Sequence, residues 1–188
     1  MKRIAKLIGK KVILGPLEKK DLRLFQKWVN DMDIAMYTSA VASVYTIKDE
    51  EKWLERMRQS KEDIVFSIIA RKTNKVIGVT GFHFINRANR SALFGIMIGD
   101  KKYWNRGLGT EAIKLLLDFG FNVLNLHSIS LSVFRYNKRA IRVYQKLGFK
   151  KAGAKREARF FAGKYHDEIV MDILSKEFKF SEIRKMVK

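Results

Sequence analysis

Between residues 92 and 147 the spacing of apolar residues switches repeatedly between strand and helix, and that switching restricts the chain to a small set of folds. Residues 92–98 form a β-rich run, and 107–121 carry an apolar stripe at helical spacing. Residues 127–134 then alternate Ile129, Leu131 and Val133 against Ser128, Ser130 and Ser132, and 138–147 are helical again. Strand, helix, strand, helix in that order implies a right-handed crossover between parallel strands. Upstream, a short strand at 12–14 is followed by amphipathic helices at 19–32 and 47–60, the first with Leu22, Phe25, Trp28 and Val29 on one face. Two further β-rich runs, 65–70 and 76–84, join 92–98 through turn signals at Thr73-Asn74 and Asn86 to Asn89, the pattern of an antiparallel meander. A last strand at 168–174 completes the set. The expected class is α/β, or α+β by a stricter convention. With one proline and no linker-like or repeated segment, residues 1–188 read as a single domain.

The two halves of this pattern meet at "YWNRGLGTEAIKLLLDFGF", residues 103–121. A strand ending near Ile98 passes through a turn containing Gly107 and Gly109 into a helix. Its first backbone NH groups therefore point out of the turn with the positive end of the helix dipole behind them. That arrangement attracts anions, and Arg106 and the Thr110 hydroxyl add a charge and a donor. The spacing matches neither a Walker loop nor a dinucleotide fingerprint, so the glycines alone also fit an ordinary loop end.

Charge narrows the partners. Thirty-nine Lys and Arg against 19 Asp and Glu give a net charge of +20, which favours phosphorylated cofactors, nucleic acid, ribosomes or acidic lipid. The absence of cysteine excludes thiolate nucleophiles, disulfides and thiolate metal sites. His83, His127 and His166 have no metal-ligand spacing, so no metal is expected. No apolar run reaches signal-peptide or membrane-spanning length, and the expected location is the cytoplasm, with no membrane partner.

The stretch "IMIGDKKYWNRGLGTEAIKLLLDFGFNVLNLHSISLSVFRYNKRAIRVYQKLGF" resembles the acetyl-coenzyme A-binding half of the GNAT superfamily of N-acetyltransferases. The resembling branch holds ribosomal-protein and spermidine acetyltransferases. The match runs over residues 95–175, and "LGPLEKKDL", "WVND" and "VIGVTGF" extend it upstream. The resemblance implies a mixed, mostly antiparallel sheet of about six or seven strands flanked by helices, with a splayed central strand pair. It also implies acetyl-coenzyme A as co-substrate and direct transfer to a primary amine in a ternary complex.

Carried over by position, the resemblance makes Trp104, Asn105, Arg106, Gly107, Leu108, Gly109 and Thr110 the loop that holds the pyrophosphate. Trp104 stands where the family often has Gln or Arg, and Asn105 where glycine is common, a mild departure because Asn tolerates a left-handed backbone. The backbone of Ile96, Met97 and Ile98 would hold the pantetheine arm as an added strand, with one NH facing the thioester oxygen. Asn137 would touch the coenzyme, and the Tyr144 hydroxyl would give a proton or a hydrogen bond to the departing thiolate. Read without the family, Tyr144 is also an ordinary core aromatic beside Ile141 and Leu147.

The amine must lose a proton before attack, and the residues leave that base open. His83 on "TGFHF" is one candidate, Asp31 and Asp33 near the expected substrate edge are others, and water relays would also serve. The other reading of the two aspartates is helix capping. Eight of the 19 acids lie between Asp31 and Asp63, a local acidic lip that would draw a cationic acceptor. Arg135, Lys138, Arg139, Arg142 and Lys146 suit coenzyme phosphates or form a plain solvated face. The acceptor is open among a protein N-terminus, a polyamine, an aminoglycoside and a nucleotide amino sugar, on a monomer or homodimer, with ribosome association a further possibility. Two other classes remain: a basic nucleic-acid-binding domain, with the N-terminal arm and the tail "SKEFKFSEIRKMVK" as its contacts, and a non-catalytic acyl-coenzyme A-binding protein.

Overall fold

A computed structural model describes residues 3–183; the last residues of the basic tail, 184–188, lie outside the described residues. Eight strands form one sheet in the order β1-β2-β3-β4-β5-β6-β8-β7. They are β1 (Leu7–Ile8), β2 (Val12–Gly15), β3 (Ile64–Ala70), β4 (Lys75–Asn86), β5 (Ser91–Ile98), β6 (Ser128–Phe134), β7 (Lys150–Phe161) and β8 (Lys164–Leu174). The helices are α1 (Leu22–Val29), α2 (Met32–Ala35), α3 (Ile47–Gln59), α4 (Leu108–Asn122) and α5 (Lys138–Lys146). The mixed, mostly antiparallel sheet expected from the sequence is present. β5 and β6 are parallel, with Ser91–Leu93 opposite Ser128–Ser130. Their ladder covers those residues, although β5 runs on to Ile98 and β6 to Phe134.

The chain divides into two compact units. One takes in the chain up to Ile85 together with Gly95–Leu116; the other takes in Asn86–Phe94 and the chain from Leu117 onward. In the first, α1 and α3 bury Leu22, Phe25, Trp28 and Leu54 against Ile13, Ile69 and Val76 of the sheet. Phe25 meets the Trp53 ring edge-on at 5.9 Å. Gly99 is fixed by this packing, because a Cβ there would sit 1.9 Å from the Trp28 ring. The expected helix at 19–32 is shorter than its apolar pattern. A single 3-10 turn precedes α1, which ends at Val29, and the Asp31 carboxylate then accepts the Asp33 NH at 3.0 Å and starts α2. A local side-chain cap thus outcompetes continuation of the helix.

In the second unit, the alternation read at 127–134 becomes β6, whose Ile129, Leu131 and Val133 are buried. Across the antiparallel ladder they face Ile173, Met171 and Ile169 of β8. β8 is inserted between β6 and β7, which pairs with β8 antiparallel at the sheet edge. β1 and β7 are the strands the sequence did not announce, and they raise the expected six or seven strands to eight; in β7, "KKAGAKREARFF" is almost wholly exposed and has no apolar face to give a period of two. Among the described residues, no helix is long and apolar enough to cross a membrane.

Candidate active site

The strand–glycine turn–helix is built as its sequence suggests. After Ile98 the chain makes a 3-10 turn at Lys101–Tyr103, and α4 starts at Leu108. Asn105 and Gly107 both lie in the left-handed region, at φ 59° and φ 78°. Gly107 presents no side chain to cap α4, so the NH groups of Leu108, Gly109 and Thr110 in its first turn have no intrahelical acceptor. Gly109 brings the helix close to β5, its missing Cβ lying 3.4 Å from Ile98. Trp104 does not aim at the turn: its indole NH donates to the Ile98 carbonyl at 2.8 Å, and the ring packs against the core. The tryptophan therefore ties the loop to the end of β5. On the other side the Lys11 ammonium donates to the Arg106 carbonyl at 3.1 Å, and the Glu111 carboxylate accepts the backbone NH groups of Lys10 and Lys11 at 2.6 and 2.7 Å. Exposed donors and positive charge in a glycine-shaped turn fit a diphosphate.

Beside β5 the same unit contains a cavity of about 470 Å³, bounded by Phe25, Tyr45 and Trp53, with Val79 of β4 and Met97 of β5 at the sheet and Asp49, Lys52 and Arg56 of α3 also on its lining. Glu50 lines it. The α3 capping box explains why: Thr46 and Asp49 cap the helix, and the next carboxylate turns inward, only 5% exposed. Burial, with the nearby Asp49 charge as the lesser cause, raises the Glu50 carboxyl from its ordinary 4.5 to about 6. The sequence offered Glu50 only as one acid of the lip; its burial is what distinguishes it.

Asp31 and Asp33 occupy a different setting. The Lys101 ammonium reaches both, at 2.8 Å and 2.6 Å, and its hydrogen bond is the main cause holding the Asp31 carboxyl below its usual range. The pair binds a lysine and caps α2.

His83 lies on the sheet face that borders the cavity. Val79 and His83 are four residues apart on β4, and Gly95 and Met97 two apart on β5, so the pleat turns each pair the same way. The His83 Nδ1 is 2.7 Å from an Asp63 carboxylate oxygen, and Ser60 donates its hydroxyl to the other oxygen at 2.6 Å. Asp63 is a partner that sequence reading did not single out.

In the second unit, Asn137 caps α5, its side-chain oxygen accepting the Ala140 NH at 3.2 Å. Tyr144 is 8% exposed and packs edge-on to Phe94 at 6.0 Å and against Phe149 at 5.8 Å. It is thus a core aromatic, and burial pushes its hydroxyl up to about 12. Against a thiol near 8.5, complete proton transfer would be uphill by about 5 kcal/mol. The hydroxyl is suited to donating a hydrogen bond to a sulfur anion rather than surrendering its proton.

A sheet with its parallel β5–β6 pair and a glycine-turned helix start define an acyl-coenzyme A-binding fold, and the comparison with known proteins agrees. The profile of the acetyltransferase (GNAT) domain matches residues 11–150, and the chain belongs to that family. The spermidine N(1)-acetyltransferase of Escherichia coli K12 is 32% identical over 168 residues, covering 89% of this chain and 88% of that one. The uncharacterized N-acetyltransferase p20 of Bacillus licheniformis is 27% identical, covering 92% and 97%. Among solved structures, the spermidine N-acetyltransferase of Vibrio cholerae in complex with CoA and spermine superposes with a TM-score of 0.82 at 27% identity, over 90% of this chain and 98% of that one. The chain is an acyltransferase that moves an acetyl group from acetyl-coenzyme A to an amine.

Proposed function

We propose that the acceptor is an alkyl polyamine of the spermidine class and that Glu50 holds one of its ammonium groups. The observation that carries this reading is a buried carboxylate in an aromatic-walled cavity of about 470 Å³ whose floor includes Met97. The rings of Phe25, Tyr45 and Trp53 suit both the alkyl chain and the charge of such a ligand. The Escherichia coli relative and the spermine-bound Vibrio cholerae neighbour support the same class. The net charge of +20 opposes it only at long range, since screening acts over about 8 Å at physiological ionic strength. Lys101 offsets one of the two charges of Asp31 and Asp33, so the pair guides the ligand less than two free carboxylates would.

In this reading the NH groups at the start of α4, with Arg106 and the Asn105–Gly107 turn, hold the pyrophosphate. The backbone of Ile96, Met97 and Ile98 holds the pantetheine arm and supplies an NH to the thioester oxygen. Asn137 gives its amide NH2 to the coenzyme, and Tyr144 donates a hydrogen bond to the leaving sulfur. His83 takes the proton of the ammonium. A panel of spermidine, spermine, peptides beginning with Ala, Ser or Met, an aminoglycoside and a nucleotide amino sugar, followed by thiol release, tests the acceptor. Spermidine-class amines should give the highest kcat/KM, and Glu50→Gln should raise their KM about tenfold. Preference for peptides, or an unchanged KM, refutes the polyamine assignment.

A second reading, association with a phosphate-rich partner such as ribosomal RNA, is favoured by one further feature. A hollow of about 780 Å³ carries Lys10, Lys11, Arg71, Lys72, Lys75, Lys102 and Arg106 against one acid, Asp100. Among the described residues none of these seven is ion-paired to a carboxylate. RNA binding that falls steeply with salt and weakens when Lys72 and Lys75 become Ala would support it; salt-independent or absent binding would remove it.

A further inference from the structure

We propose that Asp63 is the positioning residue of the base that activates the amine, holding His83 with Nδ1 protonated and the Nε2 lone pair directed toward β5. This rests on the reading that His83 takes the ammonium proton, and it adds the groups that make an imidazole competent for that step.

Three contacts define the device. The His83 Nδ1 to Asp63 Oδ1 distance is 2.7 Å, and a carboxylate can only accept there, so the ring proton lies on Nδ1. Ser60 fixes the carboxylate: its hydroxyl donates to Asp63 Oδ2 at 2.6 Å and accepts the backbone NH groups of Asp63 and Glu62 at 3.0 and 3.2 Å. At the other edge of the ring, a Cβ placed on Gly95 would lie 3.5 Å from His83 Nε2 and Cδ2. Gly95 carries none, so the ring edge bearing Nε2 lies over β5 at a separation that a single methyl group would fill. Thr80 donates its hydroxyl to the Gly95 carbonyl at 2.9 Å and holds that part of β5 against β4.

The His83 side chain is 32% exposed and that of Asp63 18%, so the imidazole can reach a ligand while the carboxylate is largely covered. The charge of Arg56 on α3 favours the ionised form of Asp63, and β5 contributes only Gly95, which has no charge. The carboxylate thereby steadies the imidazolium formed when Nε2 takes a proton.

The step balances without another reagent. The ammonium N–H bond breaks and the proton passes to Nε2, leaving a neutral amine with a lone pair. That nitrogen bonds to the acetyl carbon, the carbon–sulfur bond breaks, and the electron pair leaves on sulfur. The second nitrogen proton neutralises the sulfur as thiol, and His83 returns its proton to water.

The tests are a pH profile and a tautomer measurement on the full chain. With spermidine, His83→Ala should lower kcat/KM by about 10²–10⁴-fold near neutral pH. The deficit should shrink as pH approaches that of the free amine, where no base is needed. Asp63→Asn should lower kcat/KM with a deficit that likewise shrinks at high pH, because an amide cannot steady the imidazolium. A pH-independent loss in both variants marks a packing role and overturns the proposal. In the unmodified protein, ¹⁵N spectra should show neutral His83 as the Nδ1–H tautomer, shifting in Asp63→Asn. An Nε2–H tautomer overturns the assignment whatever the enzyme acetylates. If spermidine is not turned over, the polyamine reading fails, and the spectra alone decide the dyad.

Discussion

Replacing Glu50 by Gln should make the protein more stable and a poorer polyamine acetyltransferase at once. The stability effect follows from the carboxyl rising from 4.5 to about 6 on folding. Because the unfolded chain releases this proton first, folded stability falls as pH climbs from about 4.5 through 6, and above that the ionised carboxylate is a standing penalty. A shift of about 1.5 units corresponds to at most about 2 kcal/mol. Gln has the shape of the protonated acid and carries no such penalty. For a chain of this length the gain should appear as a rise in Tm of about 4–8 °C at pH 8, shrinking to nothing near pH 4. Differential scanning calorimetry of both proteins from pH 4 to 8 measures it, and kinetics with spermidine on the same samples should show the raised KM. A Tm that falls in Glu50→Gln, or a difference that ignores pH, would mean that the carboxylate already has a favourable partner and is not held in reserve for an ammonium.

Tyr144→Phe should lower kcat about 10²-fold while calorimetry shows an unchanged affinity for acetyl-coenzyme A, as expected for a hydroxyl that acts on the departing sulfur. Equal loss of affinity would show that the ring, not the hydroxyl, matters. Asn105→Gly should leave coenzyme affinity intact, whereas Asn105→Val should weaken it and destabilise the fold by 1 kcal/mol or more, roughly, because a β-branched residue resists φ 59°; titration of acetyl-coenzyme A into each variant distinguishes them. Buried Asp118 accepts hydrogen bonds from the Asn122 side chain at 2.6 Å and from the Glu182 and Ile183 NH groups at 2.8 and 3.0 Å. Asp118→Ala should cost about 3 kcal/mol and speed proteolysis after residue 175, with coenzyme affinity unchanged.

The elements that position coenzyme chemistry were legible because each is written locally. The switch from a period of two to a helical period, with Gly107 at the joint, gave β5, the turn and α4 within a residue or two. The alternating serines gave β6 in the same way. Local writing also explains the misses. β7 has no buried face, so its strand conformation comes only from its ladder to β8, which no window of sequence contains. The helix expected to reach residue 32 stops at Val29 because the Asp31 cap, read as one alternative for that residue, competes with an apolar pattern that continues past it.

The acceptor half was less legible for a related reason: its carboxylates differ in surroundings, not in sequence. Glu50 lies in the first turn of α3 and Asp63 just beyond its end, and the two would look interchangeable in an acidic lip. Glu50 enters a cavity walled by rings and aliphatic groups with Lys52 and Arg56 also on its lining, shows no hydrogen-bond donor among the described residues, and rises toward neutrality. Asp63 is also penalised by burial, but hydrogen bonds from Ser60 and His83 outweigh that effect and hold it below its usual range. One carboxylate therefore has no hydrogen-bonded or ion-paired partner among the described residues, while the other is held against an imidazole. That division matches what amine acetylation requires: an anchor to hold the ammonium end of the acceptor and a separate, supported base to free its lone pair. Exchanging the two environments would abolish both roles without altering the acidic composition of the lip.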